Sequence, residues 1–220
     1  MQYDNYITKE NIIVTDISNN IKLTENYIYT KIIDLDLKIL KENSDIMYNF
    51  IRKQFCRDHK HFSGQSTLST SLYNSYNLLL YPLEGFYELY TEIQTVFHDI
   101  LIHNKMNDNN TKYYIQCWLN YYKKGEFINW HAHWDPECKS WHGFYCVDVE
   151  DSYTSYMIPN NNEVINIKSE NNKIVISKSD GDKHKSSIWQ YDIPRITIAF
   201  DIIPREHIEF QDPINHWIPI

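Results

Sequence analysis

Arg195-Ile196-Thr197-Ile198-Ala199-Phe200-Asp201-Ile202-Ile203 is the stretch from which the fold reads. Ile196, Ile198, Phe200 and Ile202 fall on one face of an extended chain, and Arg195, Thr197, Ala199 and Asp201 on the other. Pro194 fixes φ just ahead, so the strand begins at Arg195. Its apolar side needs cover, which a helical layer from the N-terminal half can supply. Working back from this strand, short β-prone runs recur at Lys112–Lys123, Phe127–His133, Ser140–Glu150, Tyr153–Ile158, Glu163–Ile167, Lys173–Lys178 and His184–Trp189. Eight short strands in about ninety residues predict a sandwich or barrel of jelly-roll type.

The N-terminal half reads differently. Asn11–Asp16 and Tyr27–Ile33 are short strand candidates. Asp34 or Asp36 can cap a helix running to about Phe55, with Leu37, Leu40, Met47, Phe50 and Ile51 on its apolar side. Ser63–Asn77 is a polar loop, and Pro82 opens a second helix to about Ile102 whose stripe is Phe86, Tyr90, Ile93, Phe97 and Ile100. A turn falls at Asn107-Asp108-Asn109-Asn110. The expected fold class is α+β, mainly β: a double-stranded β-helix with supporting N-terminal helices. It forms one domain, with a mixed support region at 1–110, a jelly-roll core at 111–204 and a tail at 205–220.

Composition bounds the function. A chain of 220 residues with 42% hydrophobic side chains can fill a core, and 18 Tyr suit a β-rich one. A net charge of −8 argues against general binding of nucleic acid or a membrane surface. Cys56, Cys117, Cys138 and Cys146 form no CxxC pair and read as reduced thiols. Residues 1–25 show no signal-peptide pattern, and apolar runs such as Leu78-Leu79-Leu80-Tyr81 are too short to span a bilayer, so a cytoplasmic location is expected. Heavy use of Asn, Ile, Lys and Tyr suggests an AT-rich genome, viral or phage.

Chemistry concentrates around His131-Ala132-His133. Two histidines at i and i+2 on an extended segment share a face, and His184 with Arg195 beyond it can close a metal site with an anion clamp beside it. Iron(II) that activates oxygen needs few protein ligands, usually two histidines and a carboxylate, with positions left open. Two pairs compete here: His131/His133 as H-x-H, and His133-Trp134-Asp135 as H-x-D. The plainer reading of either is solvated loop histidines, and His59-Lys60-His61 is read that way because no strand surrounds it. His98, His103, His142, His207 and His216 show no partner pattern and receive no role.

Three segments then carry a family resemblance, over roughly residues 112–204. Tyr121-Tyr122-Lys123-Lys124-Gly125-Glu126-Phe127-Ile128-Asn129-Trp130-His131 resembles the approach to the metal site in iron(II)/2-oxoglutarate dioxygenases of the prolyl-4-hydroxylase-like superfamily. Ser140-Trp141-His142-Gly143-Phe144-Tyr145-Cys146-Val147 is similar to the strand that follows there. Lys173 through His184 to Arg195 and Pro204 resembles the closing strands, although Lys178-Ser179-Asp180 stands where the family has an F-P-S stretch.

The resemblance implies a mononuclear iron(II) site with 2-oxoglutarate and O2 as cosubstrates, and a hydroxylase releasing succinate and CO2. The glycine-to-histidine spacing makes His131 the first ligand, and His184 the distal one. The third is His133, with Asp135 as the alternative, or no third protein ligand. The subgroup most resembled often has H-x-H. Arg195 would fork onto the distal carboxylate of 2-oxoglutarate with Thr197 beside it, and Tyr121 and Tyr145 (or a neighbour) stand where hydroxyls approach the cosubstrate. Trp130, Trp134 and Trp141 would wall the pocket or fill the core. Ser63–Asn77, Glu137–Trp141 and Phe210–Ile220 are candidate lids over a peptide or small-molecule substrate. Two rivals stay open: a three-histidine cupin dioxygenase that needs no 2-oxoglutarate, and a non-enzymatic jelly-roll or virion module.

Overall fold

A computed structural model describes residues 8–9, 28–55, 70, 72–106, 110–157, 163–179, 183–208 and 216–220. The strand expected at Asn11–Asp16, the His59/His61 pair, Cys56 and most of the Ser63–Asn77 loop lie outside the described residues.

The elements run β1 (Thr8–Lys9), β2 (Ile28–Ile32), α1 (Leu37–Phe55), α2 (Phe86–His103), β3 (Tyr113–Tyr122), β4 (Trp141–Asp148), β5 (Tyr153–Met157), β6 (Val164–Lys168), β7 (Lys173–Lys178), β8 (Lys183–Ser186), β9 (Arg195–Pro204) and β10 (Ile218–Pro219). Seven strands form one antiparallel sheet in the order β1-β2-β7-β4-β9-β3-β10, and three form a second in the order β6-β5-β8. Two antiparallel sheets with helices on one side give the α+β double-stranded β-helix that the strand pattern predicts.

β9 is the strand around which the large sheet is built. It pairs with β3 from Tyr113↔Pro204 to Tyr122↔Arg195 and with β4 from Trp141↔Ile202 to Asp148↔Ile196, so all ten of its residues are buried. Its alternation resolves as read. Ile196, Ile198, Phe200 and Ile202 point into the core, while Arg195, Thr197, Ala199 and Asp201 line a cavity. The apolar side meets the helices: Leu40, Met47 and Ile51 of α1 and Ile93, Phe97 and Ile100 of α2 share its core cluster. Phe97 stands edge-on to Trp141 of β4 at 5.8 Å and to Tyr113 of β3 at 5.1 Å. Trp141 is therefore core and no part of the pocket wall. β4 lies so close to its neighbours that a Cβ on Gly143 would meet the Val175 carbonyl oxygen at 2.4 Å and the Phe200 ring at 2.6 Å.

Helix ends follow local chemistry. Asp36, one of the two expected caps, accepts from the backbone N–H groups of Lys38 and Ile39 at 3.0 and 3.1 Å. The second helix starts at Phe86, four residues beyond the position that Pro82 suggests. Leu78–Leu80 forms a separate 3-10 turn first, and Gly85, at φ 88°, reverses the chain while Glu88 Oε2 accepts from its N–H.

One expected strand is absent. Phe127–His133 bends at Trp130 and makes only an isolated bridge, His131↔His184. Side chains take over hydrogen bonds that a ladder would use: Ser186 Oγ accepts from Ile128 N, and Asn129 Oδ1 from Trp130 N. Backbone bonds remain between Trp189 and the residues at Gly125 and Glu126, between Ser186 and Ile128, and reciprocally between His131 and His184. β8 likewise ends at Ser186, short of the Trp189 limit expected for it.

Candidate metal centre

That interrupted ladder is what builds the site. Gly125, at φ 85°, turns the chain after β3, and its N–H donates to Trp189 O at 2.8 Å. The segment then runs back along residues 184–189. His131 and His184 exchange backbone hydrogen bonds of 3.0 and 2.9 Å, and their rings lie 4.2 Å apart. His133, two residues on, turns the same way, with its ring 5.1 Å from His131 and 5.0 Å from His184. One nitrogen from each of the three rings lies within 4.8 Å of the others.

The donor atoms suit a metal. His131 Nδ1 is 2.8 Å from the Asn129 carbonyl oxygen, which can only accept, so that nitrogen carries the proton and Nε2 keeps its lone pair. His133 Nδ1 lies at ion-pair distance, 2.7 Å, from Asp201 Oδ1. Burial pushes the His131 imidazole down to about 4, with the neighbouring His133 adding to the effect. Burial holds His184 well below its usual range too, with His142, His131 and His133 reinforcing it. Neutral imidazoles are the form that binds iron(II).

Asp135 does not join them. Trp134 adopts φ 50°, which breaks the i, i+2 alternation after His133. Asp135 is carried into the turn ahead of a 3-10 segment at Pro136–Cys138, where its carbonyl accepts from Cys138 N, and it is absent from the cavity wall. The H-x-D reading of His133-Trp134-Asp135 is thereby corrected: its spacing assumes a straight strand.

The cavity holds about 660 Å³. Arg195 lines it, is 3% exposed, and makes no ion pair among the described residues. Its guanidinium lies 5.3 Å from the centre of the Tyr122 ring and donates to Ser169 Oγ over a long 3.4 Å. Thr197 and Asn120 are also in the wall. Trp130 and Trp134 stand at the mouth with Tyr73. Residues 137–141 are absent from the wall; of the 210–220 tail, residues 210–215 lie outside the described set, and Trp217 packs on Trp134 at 6.0 Å.

Two tyrosines expected beside a cosubstrate point elsewhere. Tyr121 faces the helical layer, stacking on Tyr48 at 3.9 Å and donating to Asp45 at 3.0 Å. Tyr145 donates to Asn172 in the turn before β7. Both sit one residue out of phase with the cavity, whose walls take Tyr122 and Phe144 instead. Two residues went unassigned in the sequence reading yet belong here. Asp201 had a visible signal, since it alternates with Arg195 on one face. His142 had none, because β4 is buried on both faces; its ring stacks on His133 at 4.8 Å and His184 at 4.6 Å, and its Nδ1 lies 3.0 Å from Ser179 Oγ.

Cys117, Cys138 and Cys146 are free thiols, and no described helix is long and apolar enough to cross a membrane.

No protein-family model and no curated protein sequence matches the chain. Solved structures do. A prolyl-4-hydroxylase from Pseudomonas putida superposes with a TM-score of 0.51 at 9% identity, covering 81% of this chain and 92% of that one. A prolyl hydroxylase from Trichoplax adhaerens, in complex with a hypoxia inducible factor oxygen degradation domain peptide fragment, gives 0.51 at 12% identity over 80% and 84%. The fold is that of the iron(II)/2-oxoglutarate oxygenases of prolyl-4-hydroxylase type. The cluster of three histidines departs from the usual set of two histidines and a carboxylate.

Proposed function

We propose that the protein is an iron(II)- and 2-oxoglutarate-dependent oxygenase that hydroxylates a peptide side chain or small molecule. The observation carrying this reading is Arg195, a buried guanidinium without an acidic partner among the described residues, in the same cavity as three imidazole nitrogens. An isolated buried cation is costly, and a carboxylate entering the cavity would offset that cost. A molecule with an α-keto acid at one end and a carboxylate at the other satisfies both ends of such a site.

In this reading His131, His133 and His184 hold iron(II). Arg195 receives the distal carboxylate of 2-oxoglutarate through a planar fork, kept in place by the Tyr122 ring, and Thr197 on the same strand face supplies a hydroxyl. Bound iron(II) supplies oxygen activation coupled to decarboxylation of 2-oxoglutarate to succinate and CO2, with one oxygen atom delivered to the substrate. Trp118, Trp130 and Trp134 exclude water from the cavity and leave an aromatic mouth for the substrate.

Succinate formed from 2-oxoglutarate, with iron(II) and O2 present, tests the reading. Wild-type protein should produce it slowly even without substrate, and Arg195→Ala should lower the rate at least tenfold through a raised KM for 2-oxoglutarate. No succinate above a metal-free blank would count decisively against the proposal. One observation favours a second reading. Three histidines without a carboxylate ligand also suit a cupin-type dioxygenase acting without 2-oxoglutarate, and that enzyme would consume O2 with a thiol substrate equally well in its absence.

A further inference from the structure

We propose that Asp201 is a positioning residue for the metal centre: held against His133, it returns, one imidazole removed, the carboxylate that the ligand set itself lacks. This rests on the reading that His131, His133 and His184 hold a metal.

Asp201 is 5% exposed and comes from the cavity face of β9, directly across the sheet from His142. Each of its oxygens has a close polar neighbour. Oδ1 lies 2.7 Å from His133 Nδ1, and Oδ2 accepts from Trp134 Nε1 at 3.0 Å. The 2.7 Å approach is an ion-pair distance, and with Nδ1 beside the carboxylate Nε2 is the nitrogen left for the cavity. The second contact stops the carboxylate from rotating away. The left-handed turn at Trp134 serves the same arrangement: it brings the indole N–H back onto Asp201 while taking Asp135 out of reach.

Charge supplies the reason for the arrangement. Three imidazole ligands bring no negative charge and leave both positive charges of iron(II) to be met by the cosubstrate dianion alone. A buried carboxylate against a ligand imidazole orients that imidazole and restores one negative charge close to the metal. The inventory of two histidines and a carboxylate is thus kept, with one more imidazole interposed between the carboxylate and the metal.

Metal-free protein titrated with Co(II), followed by its visible absorption, tests this directly. Asp201→Asn should weaken Co(II) binding by about 10–100-fold and shift the absorption bands. Asp135→Asn removes the same charge from a nearby exposed position and should bind like wild type. Asp201→Asn binding within twofold of wild type, with unchanged bands, overturns the proposal and leaves the metal site standing. If wild type binds no Co(II), or His131→Ala binds it equally well, the metal reading itself falls. Should Asp201→Asn fail to fold, 15N NMR of the Zn(II)-loaded wild type decides: His133 should carry its proton on Nδ1, and a metal-bound or bare Nδ1 overturns the proposal.

Discussion

Trp134 shows how one backbone angle decides which side chain meets the cavity. In a straight strand His133 and Asp135 would face the same way, and the pair would compete as donors. At φ 50° the chain turns, so His133 stays at the cavity and Asp135 becomes the first residue of a turn. Two substitutions separate these roles by Co(II) titration. His133→Ala should lose at least tenfold in affinity, whereas Asp135→Ala should stay within twofold and alter stability by no more than about 0.5 kcal/mol. Equal losses would return Asp135 to the ligand set. Arg195 and Thr197 were legible from alternation alone, because a strand's period is 2 and β9 is regular throughout. Tyr121 and Tyr145 were not: they were placed by likeness to a motif, and a shift of one residue moves a side chain to the opposite face.

Among the elements, β4 carries the tightest constraint. It sits between β7 and β9, and Gly143 lets the Val175 carbonyl and the Phe200 ring close over it. A carbonyl oxygen held in a ladder cannot withdraw as a flexible side chain can. Gly143→Ala should therefore destabilise by about 1–3 kcal/mol, read as a lowered urea midpoint with unchanged slope. A midpoint equal to wild type would mean that the two strands can separate there. The helices were easier to read than the strands around the cavity. Their apolar stripes need only a 3.6-residue period, and the Asp36 cap is a local hydrogen bond. The segment before His131 obeys no period. Ser186 and Asn129 side chains decide which of its backbone groups pair, and those partners come from 58 residues away and from the adjacent residue respectively.

Over the whole molecule, the cost of gathering histidines appears as acid sensitivity. His131, His142 and His184 are held neutral in the folded protein, the first down to about 4, primarily by burial. In the unfolded chain they take up protons near the usual value of about 6.5. The unfolded state thus binds more protons below that pH, and stability contributed by the neutral cluster is lost as pH falls from about 6.5 toward 4. Metal-free protein should have a lower urea midpoint at pH 5.2 than at pH 7, before most carboxylates titrate, and replacing His142 by Asn should reduce that difference. A midpoint unchanged across the interval would mean that the histidines are not buried as described. The amino-acid sequence by itself determined the alternating strand at Arg195–Ile203, the two amphipathic helices and the pairing of His131 with His133, because each depends on a period or a neighbour within a few residues. Only tertiary structure decided that His142 and Asp201 come to stand with them, and that Asp135 leaves. Those outcomes depend on strand registers and on a single left-handed turn, contacts between residues far apart in the chain, to which no local pattern is sensitive.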